Sequence, residues 1–203
     1  LNIYQALART VAVDRKNRLI RHGNSLKLVG KGRSAFVFRI KSSNKVIKIF
    51  FPEFAHIAKE EMAIYRLLQN IPYYPTIYDA GANYIVIDYI EGLTLFECVA
   101  KGKIITPLHM KEIDYALELA TEQGLNPSDI HLRNIFITKD GDIKIIDVAR
   151  YRQQKTCVQW QHFKRAYEQL YRKQFFPKKI ATSYLNGIAF LYKKGIIPTY
   201  RTN

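Results

Sequence analysis

Asp129 and Asn134 stand five residues apart in Asp129-Ile130-His131-Leu132-Arg133-Asn134, just ahead of the apolar, strand-like run Ile135-Phe136-Ile137. A carboxylate so placed can accept the proton of a reacting hydroxyl, and an amide oxygen can ligate a hard cation. The same two residue types also make ordinary turns. Asp147 follows thirteen residues after Asn134, at the end of the apolar run Ile143 to Ile146. A carboxylate at a strand end, with that Asn upstream, suits shared binding of Mg2+. Lys48 alternates with Val46, Ile47, Ile49 and Phe50. An ammonium on such a strand costs free energy unless an anion meets it, either phosphate oxygens or an acid on the next helix, Glu61 or Glu60. On an edge strand the same lysine would face water. Finally, Gly30-Lys31-Gly32-Arg33-Ser34-Ala35-Phe36-Val37 sets a glycine turn between two apolar runs. Backbone N–H groups there can approach phosphates without interference from Cβ, although a hairpin needing positive φ uses the same glycines.

The elements that must hold these groups follow from periodicity. Leu26 to Val29, Ala35 to Ile40 and Lys45 to Phe50 read as three strands. Ile57 to Leu68 has near-helical apolar spacing, ended by Pro72 and Pro75. Two strand-like runs follow, Thr76 to Tyr78 and Tyr84 to Ile87, broken at Glu91-Gly92. Residues 108–123 form an amphipathic helix stopped at Gly124. Ile135 to Thr138 and Ile143 to Ile146 flank Asp140-Gly141, a strong hairpin signal. Two helices are expected last, Trp160 to Gln174 and Ala181 to Lys194, separated by Pro177. Mostly strands first and mostly helices last predicts an α+β chain of two lobes.

The chain has 203 residues, long enough for one domain with a real core. Its 48% hydrophobic and 13% aromatic content excludes a disordered or collagen-like class. No apolar run is long enough to span a bilayer, so no transmembrane segment is expected. Two cysteines, Cys98 and Cys157, make neither a disulfide framework nor a metal spacing, and a reduced, cytoplasmic location is the default expectation. The net charge of +15 is uneven. Residues 1–41 carry ten basic side chains and one acid, residues 42–149 ten and fifteen, residues 150–203 twelve and one. The basic ends suit an anionic partner such as nucleic acid, ribosome, glycan or membrane surface, or serve solubility alone.

Taken in order, these patterns resemble the protein-kinase-like fold, whose signature is a Gly-rich loop, a third-strand lysine, a helix glutamate, an Asp-x-x-x-x-Asn loop and a metal-binding aspartate. The resemblance covers Leu26 to Arg150. Glu61-Met62-Ala63-Ile64-Tyr65-Arg66-Leu67-Leu68 looks like the regulatory helix and favours Glu61 as the partner of Lys48. Tyr84 to Gly92 looks like the fifth strand and hinge, with Ile87 as gatekeeper and the backbone of Asp88 and Ile90 reading adenine. The resemblance implies ATP and Mg2+ as cofactors. Gly30, Lys31, Gly32, Ala35 and Val37 would cover the nucleotide, and Lys48, held by Glu61, would position its phosphates. Asn134 and Asp147 would hold Mg2+, Asp129 would orient and deprotonate the acceptor hydroxyl, and His131 or Arg133 would stabilise the transferring group.

Several positions depart from the family pattern. Pro127-Ser128 replaces the usual His-Arg, His131 the usual lysine, and Val148-Ala149 the usual Phe-Gly. No Ala-Pro-Glu follows. These traits are similar to the compact atypical kinases, namely the RIO and Bud32-like protein kinases, the lipopolysaccharide-core (Kdo) kinases and small bacterial probable serine/threonine kinases. They imply one kinase-like domain over 1–203: an antiparallel-sheet lobe at 1–90, with a basic extension at 1–25, and a truncated, mainly helical lobe at 91–203 without a full activation segment. The expected activity is transfer of the ATP γ-phosphate to a serine or threonine hydroxyl of a protein. A sugar- or lipopolysaccharide-type small-molecule kinase and a nucleotide-binding pseudokinase scaffold are the alternatives.

Overall fold

A computed structural model describes residues 2–155 and 157–196. The far end of the basic C-terminal segment, Arg201, lies outside the described residues. The chain is α+β and divides into two compact units, Leu1–Ile90 with Asp147–Arg152, and Glu91–Ile146 with Gln153–Asn203.

The first unit is built on a five-stranded antiparallel sheet. It comprises β3 (Leu26–Lys31), β4 (Ala35–Ile40), β5 (Lys45–Phe50), β6 (Ile77–Ala80) and β7 (Tyr84–Asp88), preceded by a small ribbon of β1 (Ala12–Val13) and β2 (Leu19–Arg21). The spatial order is β3-β4-β5-β7-β6, so β5 lies at the centre. Strict alternation decides which side chains go to which face. Phe36, Phe38, Ile40, Ile47, Ile49 and Val86 form a core on one face. That face is closed by the helix α1 (Ile3–Arg9), whose Ala8 joins the core with Tyr4 and Leu7 packed against it. The sequence places these residues in a basic extension; a sheet with two apolar faces needs a second cover, and α1 supplies it. α2 (Ala55–Leu67) buries Ala58, Glu61, Ile64 and Tyr65.

The second unit holds a three-stranded antiparallel sheet of β8 (Gly92–Thr94), β9 (Ile135–Thr138) and β10 (Ile143–Ile145), in the order β10-β9-β8. Gly92 is required there, because a Cβ would sit 2.8 Å from Thr138 Cα on β9. α3 (Leu95–Lys101) opens on a capping box, with Thr94 and Glu97 bonding each other's backbone N–H. α4 (Pro107–Glu122) carries the buried stripe Met110, Ile113, Ala116 and Ala120. α5 (Gln159–Ala166) is shorter than its apolar pattern suggests, because the chain widens into a π turn over Tyr167–Tyr171. There Tyr167 and Tyr171 stack, and their hydroxyls meet the carbonyl and N–H of Ile105, each at 3.1 Å. α6 (Thr182–Lys193) follows.

Candidate active site

Lys48 sits on the central strand with Val37 of β4 and Ile85 of β7 directly opposite it. Gly30 of β3 pairs with Val37 in turn. Directly opposed residues share a face, so Gly30, Val37, Lys48 and Ile85 form one row across the sheet, turned away from the phenylalanine core. The edge-strand alternative for Lys48 is thereby gone. Its side chain is only 13% exposed, and a lysine there needs counter-charge.

Two carboxylates supply that charge. Lys48 Nζ donates to Glu61 Oε1 and Oε2 at 2.9 and 2.7 Å, and to Asp147 Oδ1 at 2.9 Å. Glu61 is fully buried on α2, whereas Glu60 beside it is half-exposed and pairs with Arg152 at 3.4 Å. Burial by itself would push the Lys48 pKa down; Glu61 first and Asp147 second outweigh it and hold the ammonium well above the ordinary lysine range. Burial pushes the Glu61 carboxyl up, against the weaker pull of Lys48.

Asp147 is held by its backbone as well as its carboxylate. Its φ of 61° lies in the left-handed region, which Asp and Asn tolerate better than other side chains. Its N–H donates to the hydroxyl of Tyr65 at 3.3 Å. Burial, with Glu61 next in weight, drives the Tyr65 pKa far up, so the hydroxyl stays neutral. Behind Asp147, Val148 and Tyr151 are fully buried, and the Tyr151 ring meets Tyr74 edge-on at 6.2 Å. The segment Asp147–Arg152 is thus anchored to α2 and its surroundings by two ion pairs, Lys48–Asp147 and Glu60–Arg152, one phenol and two packed side chains.

In the second unit the loop before β9 is ordered by backbone bonds. Asp129 has φ 60°, a second left-handed aspartate. Asn134 is buried; its Nδ2 donates to Asp129 O at 3.2 Å, its N–H to His131 O, and its carbonyl accepts from Ile146 N–H. Donation by Nδ2 fixes which end of the amide is the oxygen, leaving Oδ1 as the acceptor end. Arg133 leans away from this cluster: its guanidinium lies 3.5 Å over the Phe96 ring and donates to Asn186 Oδ1 at 2.8 Å. Ser128 is fully buried and bonds Asn126 O, while Asn126 Nδ2 donates to Gln153 O and Lys155 O. Lys48, Glu61 and Asp147 therefore meet within the first unit, and Asp129, His131 and Asn134 within one loop of the second.

The remaining expected positions fall on β3, β4 and the end of β7. Neither Gly30 nor Gly32 has positive φ, and a Cβ on either would come no closer than 3.5 Å to its neighbours. The turn itself therefore does not demand glycine. Ala35 is buried, and Lys31 Nζ lies 5.5 Å over the Phe36 ring. Ile87 is buried on β7; the Asp88 N–H is taken by Thr76 O at 3.2 Å, and Ile90 closes the first unit. Tyr65 is the residue sequence reasoning missed. It stands four positions after Glu61, hence on the same helix face, and that spacing was the available signal.

Asp147 in the first unit and Asn134 in the second each carry oxygen donors of the hard kind that Mg2+ takes. Among the described residues no three His, Cys, Asp or Glu side chains cluster into a metal cage. Mg2+ is usually bound by one or two carboxylates plus substrate phosphates, with hard oxygen donors of the kind Asp147 and Asn134 carry.

An α+β chain with a central-strand lysine tied to a helix glutamate defines a protein-kinase-like class. The relatives agree. The chain is 45% identical over 195 residues to the "Putative serine/threonine-protein kinase YrzF" of Bacillus subtilis, covering 94% of this chain and 91% of that protein. It is 31% identical to the "Probable serine/threonine-protein kinase CPE1738" of Clostridium perfringens over 60% of this chain and 20% of that protein. It is 28% identical to the Arabidopsis thaliana CBL-interacting serine/threonine-protein kinase 18 over 87% of this chain and 39% of that protein. This chain thus spans most of the Bacillus relative but a minor part of the other two. No protein-family model matches it. The chain belongs to the serine/threonine-protein-kinase family.

Proposed function

We propose that this chain is a Mg2+- and ATP-dependent kinase that transfers the γ-phosphoryl group to serine or threonine hydroxyls of a protein. The observation that carries this reading is the Lys48–Glu61–Asp147 cluster: a buried ammonium on a central strand, oriented by one carboxylate and shared with a second, half-exposed one. Lys48 binds the α- and β-phosphates, and Glu61 keeps it charged and aimed. The side-chain-free turn at Gly30 and Gly32 lets backbone N–H groups lie against phosphate, with Lys31, Ala35 and Val37 lining the loop. Ile87, Asp88 and Ile90 border the adenine.

Asp147 and Asn134 would hold Mg2+, which supplies charge neutralisation at the phosphate oxygens. Asp129 orients the acceptor hydroxyl and takes its proton, and His131 stabilises the phosphoryl group in transfer. With Pro127-Ser128 and Val148-Ala149 in place of the common His-Arg and Phe-Gly, the enzyme groups with the compact atypical kinases, and loop phosphorylation does not control it. Cys98 and Cys157 are free thiols, which suits a reducing, cytoplasmic compartment.

Radiolabelled ATP and Mg2+, incubated with the pure chain and with a lysate, test the reading. Label on serine or threonine of a protein, lost in Lys48→Met and in Asp129→Asn, is the expected result. ATP binding without transfer, or label confined to a small molecule, would overturn it.

A further inference from the structure

We infer that the outward face of α6 is a docking surface for an anionic lipid bilayer. The helix is fixed to its unit on one side only. Leu185 is its one buried side chain, Asn186 accepts from Arg133 at 2.8 Å, and Tyr192 Oη meets His162 Nδ1 at 2.9 Å. The side turned to water carries Tyr184, Ile188 and Leu191 at i, i+4 and i+7, with Phe190 about 100° further round the helix from Leu191, and all four are exposed. Tyr184 is 73% exposed and Phe190 56%. An apolar stripe of this kind, turned to water on a described helix, wants an apolar medium.

The surrounding charge selects the medium. Residues 169–196 contain six basic side chains and no acid. Lys179 precedes the helix, and Lys193 and Lys194 end it, all three exposed. Lys194 Nζ lies 4.7 Å from the Phe190 ring, an ammonium carried at the edge of the apolar face. Bulky apolar groups ringed by lysines are the pattern of an interfacial helix, whose apolar face enters the acyl boundary while the cations meet lipid phosphates.

The other occupants fit less well. Nucleic acid would satisfy the lysines and stack on Tyr184 or Phe190, but it gives Ile188 and Leu191 nothing to bury against. A second copy would bring six basic groups against six across a two-fold axis. No described helix is long and apolar enough to cross a membrane, so the contact is peripheral.

The test is flotation of the full 203-residue chain, without ATP, on vesicles of phosphatidylcholine alone and with about 30 mol % phosphatidylglycerol. Binding is therefore read independently of any kinase activity. We expect about tenfold tighter binding to the anionic vesicles, falling with salt. Ile188→Ser/Leu191→Ser, which leaves the charge unchanged, should lower it by about tenfold, as should Lys193→Gln/Lys194→Gln. Circular dichroism checks the fold of each, and Tyr184→Ser serves as a milder variant should the double one unfold. Absence of binding, equal binding to neutral vesicles, or binding indifferent to the apolar variants would overturn the inference. So would self-association, or retention on homopolymeric RNA, that the double serine variant abolishes.

Discussion

The two halves of the candidate catalytic set are positioned by different physics. In the first unit, side-chain charge does the positioning: Lys48 is clamped between Glu61 and Asp147 in a buried setting. In the second, the backbone does it: Asn134 is fixed by bonds to Asp129 O, His131 O and Ile146 N–H, with Asp129 in a left-handed conformation. Charge clamps are costly when halved, because the partner left behind is buried and uncompensated. Backbone-held loops are tolerant of side-chain exchange so long as the new residue accepts the same φ and ψ.

The largest expected effect follows from the clamp. Lys48→Met should lower stability by about 3–5 kcal/mol at pH 8, measured by urea unfolding. Glu61 is a carboxyl raised above its usual value of 4.5, so its contribution is fully present below about that pH and is lost as pH rises through the folded value. The deficit of Lys48→Met against wild type should accordingly shrink toward pH 5. A deficit that is small at pH 8, or that grows on acidification, would break the contrast.

The loop should respond differently. Asp129→Gly relieves a left-handed side chain and should cost much less stability than Lys48→Met, while reducing phosphoryl transfer by at least about 100-fold. A loss of stability comparable to that of Lys48→Met would show that Asp129 is structural. Smaller again, Tyr65→Phe removes only the hydroxyl that receives the Asp147 N–H and should cost about 1 kcal/mol by the same unfolding assay.

The smallest effect belongs to the second unit. His109 Nδ1 accepts the Thr106 N–H in the cap of α4, which requires the neutral ring, and burial lowers its pKa. A lowered imidazole contributes stability above its unfolded value near 6.5, lost as pH falls through the folded value. His109→Gln, which keeps an acceptor at that position, should flatten that part of the pH–stability curve.

Elements with clear alternation or long periodicity were legible in the sequence. β4, β5, α2, α4, α6 and the β9–β10 hairpin lie within a residue or two of where the pattern puts them. α1 was not legible, since seven residues with few strongly apolar positions give little periodic signal, and its role comes only from the sheet face it covers. α3 is only seven residues long and directly follows the break at Gly92, so its one sequence signal is the capping box Thr94-x-x-Glu97. Among site residues, Lys48, Asp129, Asn134 and Asp147 stand out by type and setting. Tyr65 does not, because a tyrosine on an apolar helix face reads as core, and only tertiary contact reveals that its hydroxyl serves Asp147.

The membership of Asp147–Arg152 in the first unit bears on how the polypeptide is born. Residues 1–90 leave the ribosome while the segment that completes them is still untranslated, and Asp147 follows some 57 residues later, roughly 3 to 11 s at ordinary elongation rates. Throughout that interval Lys48 on β5 and Glu61 on α2 are without their third charge. The N-terminal unit is thus finished late, by a stretch of chain made only after the whole of β8, β9 and β10.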